Sequence, residues 1–365
     1  MKRVLLVALM AVLVLGLLLA GCAQPAPAPT TAPAPAPKPA PAPAKPGPEE
    51  FYKGKTLELY VPSSPGSGLD TTARLLAPVM QQEIGATVVV INQPGGGYTI
   101  PINYLYEKAE PDGLRIALME GSSTIAAQLL VMENCRYDLR KMSMIYNVSS
   151  GDGICVVASD SPYQSVSDLL AAKKTLVAAA TGPTTPTGMA AKVILEVAFG
   201  LTVKVVTGYD AAPATYKAVL QKEADICLGL YSAAAGLISE RKLKPLFVWQ
   251  RERFKRLPDV PTAFEALEKA GKLTPESKYW IDVIVELNTI QKALMTSQNV
   301  PADRIKFLRD TMGKILKQQA VVDSFDKATV TLYPLSGEET AKSVSKLLDM
   351  EKSKAEQLKK LLLTK

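Results

Sequence analysis

Four short segments of the chain are rich in glycine or hydroxyl side chains and precede expected helices. They are 62–72 (PSSPGSGLDTT), 92–98 (NQPGGGY), 120–124 (EGSST) and 181–188 (TGPTTPTG). The free N–H groups at a helix start and nearby hydroxyls can donate hydrogen bonds to negative charge. Neither the first nor the fourth segment contains lysine or arginine. We therefore expect backbone N–H groups, hydroxyls and helix dipoles to hold a carboxylate reversibly.

The first segment offers several ways to contact a ligand. Gly66 and Gly68 let the backbone approach closely. The hydroxyls that can donate are those of Ser64, Thr71 and Thr72. Asp70 has two possible roles: it caps the following helix, or it binds a ligand donor or a bridging water. The segment lacks the Gly-Lys-Ser/Thr of a Walker loop and the third glycine of a dinucleotide-binding loop, which argues against both nucleotide sites.

The other three segments differ in what they indicate. We interpret the glycines of 92–98 as a tight connection that requires positive φ. In 120–124, Ser122 and its two hydroxyl neighbours either cap a helix or bind a ligand at the same sheet edge as the first segment. Segment 181–188 repeats the chemistry of the first segment in the other half of the chain, which suggests a ligand held between two lobes.

The chain contains no histidine. This excludes nucleophiles activated by histidine and the histidine ligands of catalytic zinc and non-haem iron sites. We therefore expect no catalytic residue, no metal and no cofactor. The net charge of +7 falls to +5 if residues 1–21 are removed, and no basic cluster with interleaved aromatic residues stands out. Nucleic-acid binding therefore has little support.

Short apolar runs alternate with helix-length segments, which is typical of parallel α/β sheets covered on both faces. The expected strands are 56–61, 87–91, 115–119, 154–158, 176–180, 203–206, 226–230, 245–248 and 280–285. The expected helices are 71–84, 100–108, 124–132, 167–172, 188–199, 213–221 and 233–240. Beyond residue 285 the pattern indicates helices only, chiefly 301–319 and 337–363. Ligands of such sheets bind beyond the carboxyl ends of the strands.

The N-terminus predicts an exported lipoprotein. Lys2 and Arg3 precede an apolar run, and the sequence Leu-Ala-Gly-Cys ending at Cys22 matches the bacterial lipobox. We expect cleavage after residue 21 and lipidation of Cys22; the alternative is an uncleaved membrane anchor. Both interpretations place the rest of the chain outside the cytoplasm. Which membrane would carry the lipid stays open.

Residues 22–48 are almost entirely proline and alanine. Such a segment cannot form a core and is expected to be an extended tether that reaches roughly 80 Å. Three cysteines follow it, Cys135, Cys155 and Cys227, each in a mostly apolar stretch. We expect buried free thiols, although one pair could be oxidised outside the cytoplasm.

Several motifs resemble the extracytoplasmic solute receptors of tripartite tricarboxylate transporters, the Bug or tricarboxylate-binding receptor family. The matching motifs are 65–70 (PGSGLD) with Arg74, 92–97 (NQPGGG), 111–113 (PDG), 161–163 (SPY) with 168–169 (DL), and 251–253 (RER) with 257–262 (LPDVPT) and Glu265. They occur in the family's order, and the resemblance extends from Tyr52 to about Met350.

The resemblance implies an α/β, two-lobed periplasmic-binding-protein fold (type II-like) with two parallel or mixed sheets and a cleft. It places lobe 1 at 49–156 with 280–365, and lobe 2 at 157–279. The implied ligand-binding residues are Ser64, Gly68, Asp70 and Thr71 on lobe 1, and Thr184, Thr185, Thr187, Gly188, Tyr209 and Asp210 on lobe 2. The composition of the loops adds Gly66 and Ser122 to the expected ligand-binding residues of lobe 1. The implied receptor is a monomer that captures a small aliphatic or aromatic carboxylate and delivers it to membrane permease subunits.

Two departures from the family's pattern prevent a transfer of the ligand from better-known members. Pro183 and Pro186 occupy a loop that usually is richer in glycine and serine, and 206–209 (VTGY) replaces a commoner Val-Pro-Tyr sequence. A ligand sensor that feeds a signalling partner is an alternative with the same fold. An envelope α/β enzyme is a further alternative, disfavoured because the hydroxyl loops lack an activating base.

Overall fold

The computed structural model describes residues 47–363, in which strands and helices alternate along most of the chain. The strands are β1 (Thr56–Val61), β2 (Thr87–Asn92), β3 (Arg115–Glu120), β4 (Ser143–Ser149), β5 (Gly153–Ala158), β6 (Leu176–Ala179), β7 (Val203–Val206), β8 (Cys227–Leu230), β9 (Leu243–Val248), β10 (Lys292–Thr296) and β11 (Leu332–Ser336). The helices are α1 (Pro48–Tyr52), α2 (Gly68–Ile84), α3 (Ile100–Glu107), α4 (Gly121–Leu129), α5 (Val166–Leu170), α6 (Pro186–Ala190), α7 (Ala212–Leu220), α8 (Tyr231–Ser239), α9 (Ala263–Lys269), α10 (Pro275–Thr289), α11 (Ala302–Ile315), α12 (Gln319–Lys327), α13 (Gly337–Leu348) and α14 (Lys352–Leu363). A π-helix, Ala191–Ala198, continues directly from α6.

The first sheet contains six strands in the order β11-β4-β10-β3-β1-β2. β1 is parallel to β2 and β3, whereas β10 is antiparallel to both β3 and β4. The carboxyl ends of β1 to β4 therefore meet at the edge where β10 begins. At that edge Lys292 lies opposite Glu120 on one side and Ser149 on the other.

The second sheet region is formed by strands β5 to β9. β5 lies between β8 and β9 and is antiparallel to both, while β6 is parallel to β7. A bridge between Ala178 and Ile226 connects the two groups of strands. Residues 153–156, which the sequence assigned to lobe 1, therefore lie in the strand at the centre of this second region. The predicted two-lobed α/β fold is confirmed, and its sheets are mixed rather than wholly parallel.

α2 rises from the end of β1 because its sequence specifies both of its ends. The Ser67 side chain caps the first turn by accepting a hydrogen bond from the backbone N–H of Asp70, and Gly85 ends the helix with a left-handed φ of 75°. Buried Leu69, Leu76 and Met80 are spaced along the face that covers the first sheet. The helix start is thereby fixed at the carboxyl edge of the sheet.

α10 connects the two sheets and contacts helices on both sides. Thr274 and Ser277 form a reciprocal capping box at its start, with Pro275 at the first helical position. It packs against the π-helix of the second sheet region and against α4 of the first. Its buried side chains belong to a hydrophobic cluster that extends across both regions. A separate cluster fills the space between the other face of the first sheet and helices α2 and α11.

The structure corrects the predicted strand 280–285, which lies inside α10. Trp280, Ile281 and Ile284 are buried at helical spacing. A short apolar run is compatible with a buried helix or a buried strand, so the sequence pattern alone does not separate the two. The prediction of helices only beyond residue 285 is also wrong, because β10 and β11 complete the first sheet. β4 was not predicted either.

Several helix boundaries also differ from the prediction. The segment 337–363 forms two helices, α13 and α14, separated at residues 349–351. The segment 301–319 gives α11 and the start of α12. Before residue 270 the predicted elements occur in the predicted order, and the structure adds β4 and the helices α1 and α9.

The predicted signal peptide, Cys22 and nearly all of the Pro/Ala tether lie outside the described residues. Within residues 47–363, no helix combines the length and apolar character that a membrane span requires. In the same part of the chain all three cysteines are free; Cys155 and Cys227 are buried, and Cys135 is half-buried.

Candidate functional site

The loop between β1 and α2, residues 62–71, is called the first loop. The N-cap of α2 is Ser67, so the prediction that Asp70 is the N-cap is wrong. Asp70 is instead the third helical residue, where its carboxylate turns back and accepts a hydrogen bond from the Gly66 backbone at 2.8 Å. The first loop is therefore closed by its own helix.

Asp70 is buried and both of its carboxylate oxygens have partners. Arg74 donates to it at 2.9 Å and Asn92 donates at 3.0 Å. Burial alone would raise the pKa of Asp70, but the hydrogen bonds from Arg74, Gly66 and Asn92 hold that pKa below its usual value. Asp70 is thus an ionised carboxylate that accepts hydrogen bonds from the protein itself, and these hydrogen bonds fix the shape of the first loop.

Asn92 ties the second glycine-rich segment to the first loop. Its side chain donates to the carbonyl of Ser63 at 2.9 Å as well as to Asp70. Sequence reasoning did not single out Asn92 as a site residue, although the motif 92–97 contained it. The structure therefore brings the carboxyl ends of β1 and β2 together through one side chain.

Some donors of the first loop have no partner in the described part of the chain. Gly68 and Leu69 are the first residues of α2, where a backbone N–H has no helical carbonyl to bind. Ser64 is exposed and Thr71 is half-buried, and within residues 47–363 neither hydroxyl forms a hydrogen bond. These groups can donate to an anion at the positive end of a 17-residue helix.

The second segment adopts the tight connection that its glycines predicted. Gly95, Gly96 and Gly97 all have positive φ, at 116°, 58° and 62°. A Cβ at Gly95 would lie 2.9 Å from the Ile100 side chain. The steric interpretation of these glycines is confirmed.

The third segment is buried and serves the connection between the lobes. The Ser122 hydroxyl donates to the Leu287 carbonyl of α10 at 3.0 Å. Glu120 is the N-cap of α4 and accepts from the Ser123 N–H at 2.8 Å, while the Thr124 hydroxyl donates to the Glu120 carbonyl. The hydroxyls of Ser122 and Thr124 are thus engaged by the fold, and ligand binding by Ser122 stays a prediction.

The fourth segment contains three hydroxyls that bind one another. Thr181, Thr185 and Thr187 lie 2.9–3.1 Å apart, and Thr185 also donates to the Gly182 carbonyl at 2.8 Å. Thr185 is the N-cap of α6. Sequence reasoning did not include Thr181 among the site residues. This network holds the loop in shape, in the way that Asp70 holds the first loop.

Two further residues of the fourth segment differ from that network. The half-buried Thr184 forms no side-chain hydrogen bond within the described residues, so its hydroxyl is available to a ligand. Gly188 is required by space, because a Cβ there would lie 2.0 Å from the Gly182 carbonyl oxygen. Thr184 is therefore the hydroxyl of this loop best suited to contact a ligand.

Tyr209 and Asp210 lie between β7 and α7, at the same edge of the second region as the fourth segment. Asp210 is exposed, and Tyr209 packs partly against the core beneath α7 and α8. Gly208 before them has a φ of 106°. Their ligand-binding role stays a prediction.

The junction of the lobes contains a row of buried charged side chains. Glu120, Lys292 and Asp152 are each at most 6% exposed. Burial raises the pKa of both carboxylic acids, and burial lowers the pKa of Lys292 to about 8, an effect that the charges of Asp152 and Glu120 partly offset. Sequence reasoning missed this row, because Lys292 and Asp152 lie in stretches that carried no motif.

A cavity of about 1020 Å³ lies beside the junction, between the crossing segment 150–152, the segment 249–256 and β11. None of the predicted ligand-binding residues lines it. Arg256 and Asp326 form an ion pair across this cavity.

Within residues 47–363, no hydrogen bond joins the first loop to the fourth segment. The predicted site residues thus form two separate groups, one in each lobe.

Two α/β lobes joined by crossing segments, each with hydroxyl-bearing helix starts at its sheet edge, define a two-lobed solute-binding protein. The chain belongs to the tripartite tricarboxylate transporter receptor family, because the model of that family (TctC) matches residues 72–358. The family resemblance inferred from the sequence is therefore confirmed. Its relatives are periplasmic binding receptors.

Individual relatives are distant in sequence. A protein encoded in the TAR-I ttuE-ttuC' intergenic region of Agrobacterium vitis is 24% identical over 282 residues, covering 76% of each chain. Three solved structures share the fold. The periplasmic binding protein BugD is 21% identical, covering 85% of this chain and 98% of its own, with a TM-score of 0.67.

The other two structures come from Rhodopseudomonas palustris. MatC with bound malate is 18% identical, covering 84% of this chain and 99% of its own, with a TM-score of 0.66. A protein with adipate is 16% identical, covering 84% of this chain and 97% of its own, with a TM-score of 0.67.

Proposed function

We propose that the protein captures a small organic carboxylate between its lobes and delivers it to the membrane subunits of a tripartite tricarboxylate-type transporter. It performs no chemistry on the ligand. The free energy of binding drives closure of the lobes, and the transporter recognises the closed form.

The observation that carries this proposal is the pair of helix starts, one in each lobe, at which some neutral donors have no partner within residues 47–363. In the first loop these are the N–H groups of Gly68 and Leu69 with the Ser64 hydroxyl, and in the fourth segment the Thr184 hydroxyl. Both loops are held in shape by internal hydrogen bonds, so little ordering is needed when a ligand binds. Preformed neutral donors suit a carboxylate that must later be released.

The relatives support a carboxylate as the ligand class. The structure of MatC contains bound malate, and the structure of a second R. palustris protein is with adipate. Both ligands are dicarboxylates. Within the predicted set, we assign direct contacts to Ser64, Gly68, Thr71 and Thr184. Asp70, Thr185, Thr187 and Gly188 shape the loops that make these contacts.

We infer that the lobes divide at the crossing segment 150–152 and within α10. This division follows the sheets, because β4 belongs to the first sheet and β5 to the second. Ligand binding would bring the first loop and the fourth segment together by rotation about these crossings.

We further propose that Cys22 carries a lipid and that the Pro/Ala segment holds the receptor near its transporter. A Cys22→Ala variant expressed in a bacterial host should leave the membrane fraction, whereas the unaltered chain should stay there and take up labelled palmitate. Equal membrane retention of both chains would contradict lipid anchoring.

The central experiment identifies the ligand. Native mass spectrometry of protein purified without dialysis, followed by calorimetry with mono-, di- and tricarboxylates, should give at least one carboxylate that binds the unaltered protein. Thr184→Val should weaken that binding, whereas the control Thr202→Val, at an exposed threonine before β7 in the same lobe, should leave it unchanged. A protein that binds no carboxylate of the panel would overturn the proposal.

A further inference from the structure

Lys292 is a buried lysine that has no partner among the described residues. It is the first residue of β10 and is 6% exposed. Within residues 47–363 its ammonium group forms no hydrogen bond and no ion pair. Glu120, directly opposite in the ladder, also has a buried carboxylate oxygen, Oε1, that accepts no hydrogen bond from the described residues.

A buried ammonium group without a partner lowers the stability of the folded protein unless a ligand or another group pairs with it. Moving an ammonium group out of water is strongly unfavourable, and in most folded proteins a buried charge is paired or hydrogen-bonded. Glu120 and Asp152 are near enough to influence the pKa of Lys292 but not to pair with it directly. The amide oxygen of Asn288, which is 3% exposed, likewise lacks a partner among the described residues. Unused donors and acceptors thus gather where the chain crosses between the lobes.

The orientation of Lys292 places it on the side of the sheet from which the first loop rises. Leu294 and Leu118 are paired two positions along the same ladder, and both lie in the cluster beneath α2. Because side chains alternate along a strand, Lys292 and Glu120 point to that same face. The carboxyl end of β1, and with it the first loop, lies at the same edge of the sheet.

We propose that Lys292 selects the ligand by charge: its ammonium group pairs with a second carboxylate while the first loop holds the first. This inference rests on the proposed function and deepens it, since it assigns dianionic rather than monoanionic carboxylates to the site. The loops supply neutral donors that any carboxylate can use, and Lys292 supplies the full charge that they lack. Glu120 lies opposite Lys292 in the ladder, and its charge favours the protonated form of the amine.

Two ligand pairs of equal chain length test the proposal: succinate with butyrate, and adipate with hexanoate. The unaltered protein should bind the dicarboxylate of at least one pair at least about tenfold more tightly than its monocarboxylate, as expected for a partly desolvated charge pair. Lys292→Met should remove that preference by weakening dicarboxylate binding and sparing monocarboxylate binding. Lys292→Arg should retain the preference, and the exposed control Lys217→Met should behave as the unaltered protein does.

A folded Lys292→Met protein that keeps the preference would overturn this inference and leave the proposed function intact. Unaltered protein that binds neither member of either pair overturns this inference, and the proposed function is overturned only if no carboxylate of the wider panel binds. If Lys292→Met does not fold, calorimetry of the unaltered protein at pH 8.5 in buffers of different ionisation enthalpy decides the question. Proton uptake with the dicarboxylate and not with the monocarboxylate supports the role of Lys292, and equal uptake with both contradicts it.

Discussion

Asn92 at the end of β2 donates a hydrogen bond of 3.0 Å to the buried carboxylate of Asp70 in α2. Through this contact, and through the Ser63 carbonyl, one side chain sets the position of the first loop relative to the neighbouring strand. The shape of the candidate site therefore depends on residues that need not touch the ligand.

Replacing Asp70 should destabilise the protein more than replacing its cationic partner. Asp70→Ala removes the acceptor of the Gly66 N–H and one of the two acceptors of the Asn92 amide, which keeps the Ser63 carbonyl, so we expect a loss of about 3 kcal/mol in the free energy of unfolding. Arg74→Ala should cost clearly less, because the Arg74 side chain is more than half exposed and solvent screens its ion pair with Asp70. Urea unfolding measures both.

The same experiment has a defined pH dependence. Because the folded protein lowers the pKa of Asp70, its contribution is complete above the ordinary value of 3.8 and is lost as the pH falls through the folded pKa. The stability difference between the unaltered protein and Asp70→Ala should therefore shrink only in acid. A difference that disappeared between pH 6 and 8 would contradict this assignment.

Thr184 and Thr185 are adjacent and should respond differently to valine. Thr185→Val removes the cap of α6 and the bond to Gly182, so it should cost about 1 kcal/mol of stability. Thr184→Val removes no hydrogen bond of the described chain, so its unfolding midpoint should hardly change while carboxylate affinity falls. Comparable losses of stability in both variants would mean that Thr184 is structural.

Two glycines form a second matched pair. A Cβ at Gly188 would overlap the Gly182 carbonyl, whereas a Cβ at Gly68 meets nothing within 4 Å. Gly188→Ala should thus lower the melting temperature by several degrees, consistent with a clash against backbone. Gly68→Ala should melt as the unaltered protein does and lose affinity because a methyl group crowds the ligand. Normal ligand affinity in Gly68→Ala would remove Gly68 from the site.

Dicarboxylate binding should weaken as the pH rises from 7 to 9. Burial lowers the pKa of Lys292 to about 8, so the ammonium group loses its proton in this interval unless a ligand holds it. Glu120 and Asp152 face the same group, and Arg256 acts on Asp152. Calorimetric titrations across this range should show the decline in the unaltered protein and not in Lys292→Met. A parallel decline in both would assign the titration to another group.

The thiols should be unreactive in the native protein. Burial raises the pKa of Cys135 and Cys155, and raises that of Cys227 to about 12, so little thiolate is present near pH 8. An Ellman assay of a chain lacking Cys22 should give three reactive thiols in denaturant and slow reaction without it. One thiol in denaturant would indicate a disulfide.

Local sequence patterns predicted most strands and the approximate starts of most helices. Apolar runs form strands, and the Gly and hydroxyl residues that follow them form turns and helix caps, and both depend on interactions between residues near in sequence. The run 280–285 was assigned incorrectly because a buried helix and a buried strand have the same composition over six residues. β10 was not recognised because Lys292 opens it with a charge. The site positions were predicted as segments, but the roles of Asn92 and Thr181 depend on contacts that no local pattern reveals.

α10 acts as a strut as well as a link between the lobes. It is fastened to the first lobe by the Ser122 hydroxyl and lies along the π-helix of the second. Because α10 restrains the two lobes along one side, we expect them to rotate about an axis near α10. The cleft should then open most widely on the side away from α10, and a ligand should enter and leave from that side.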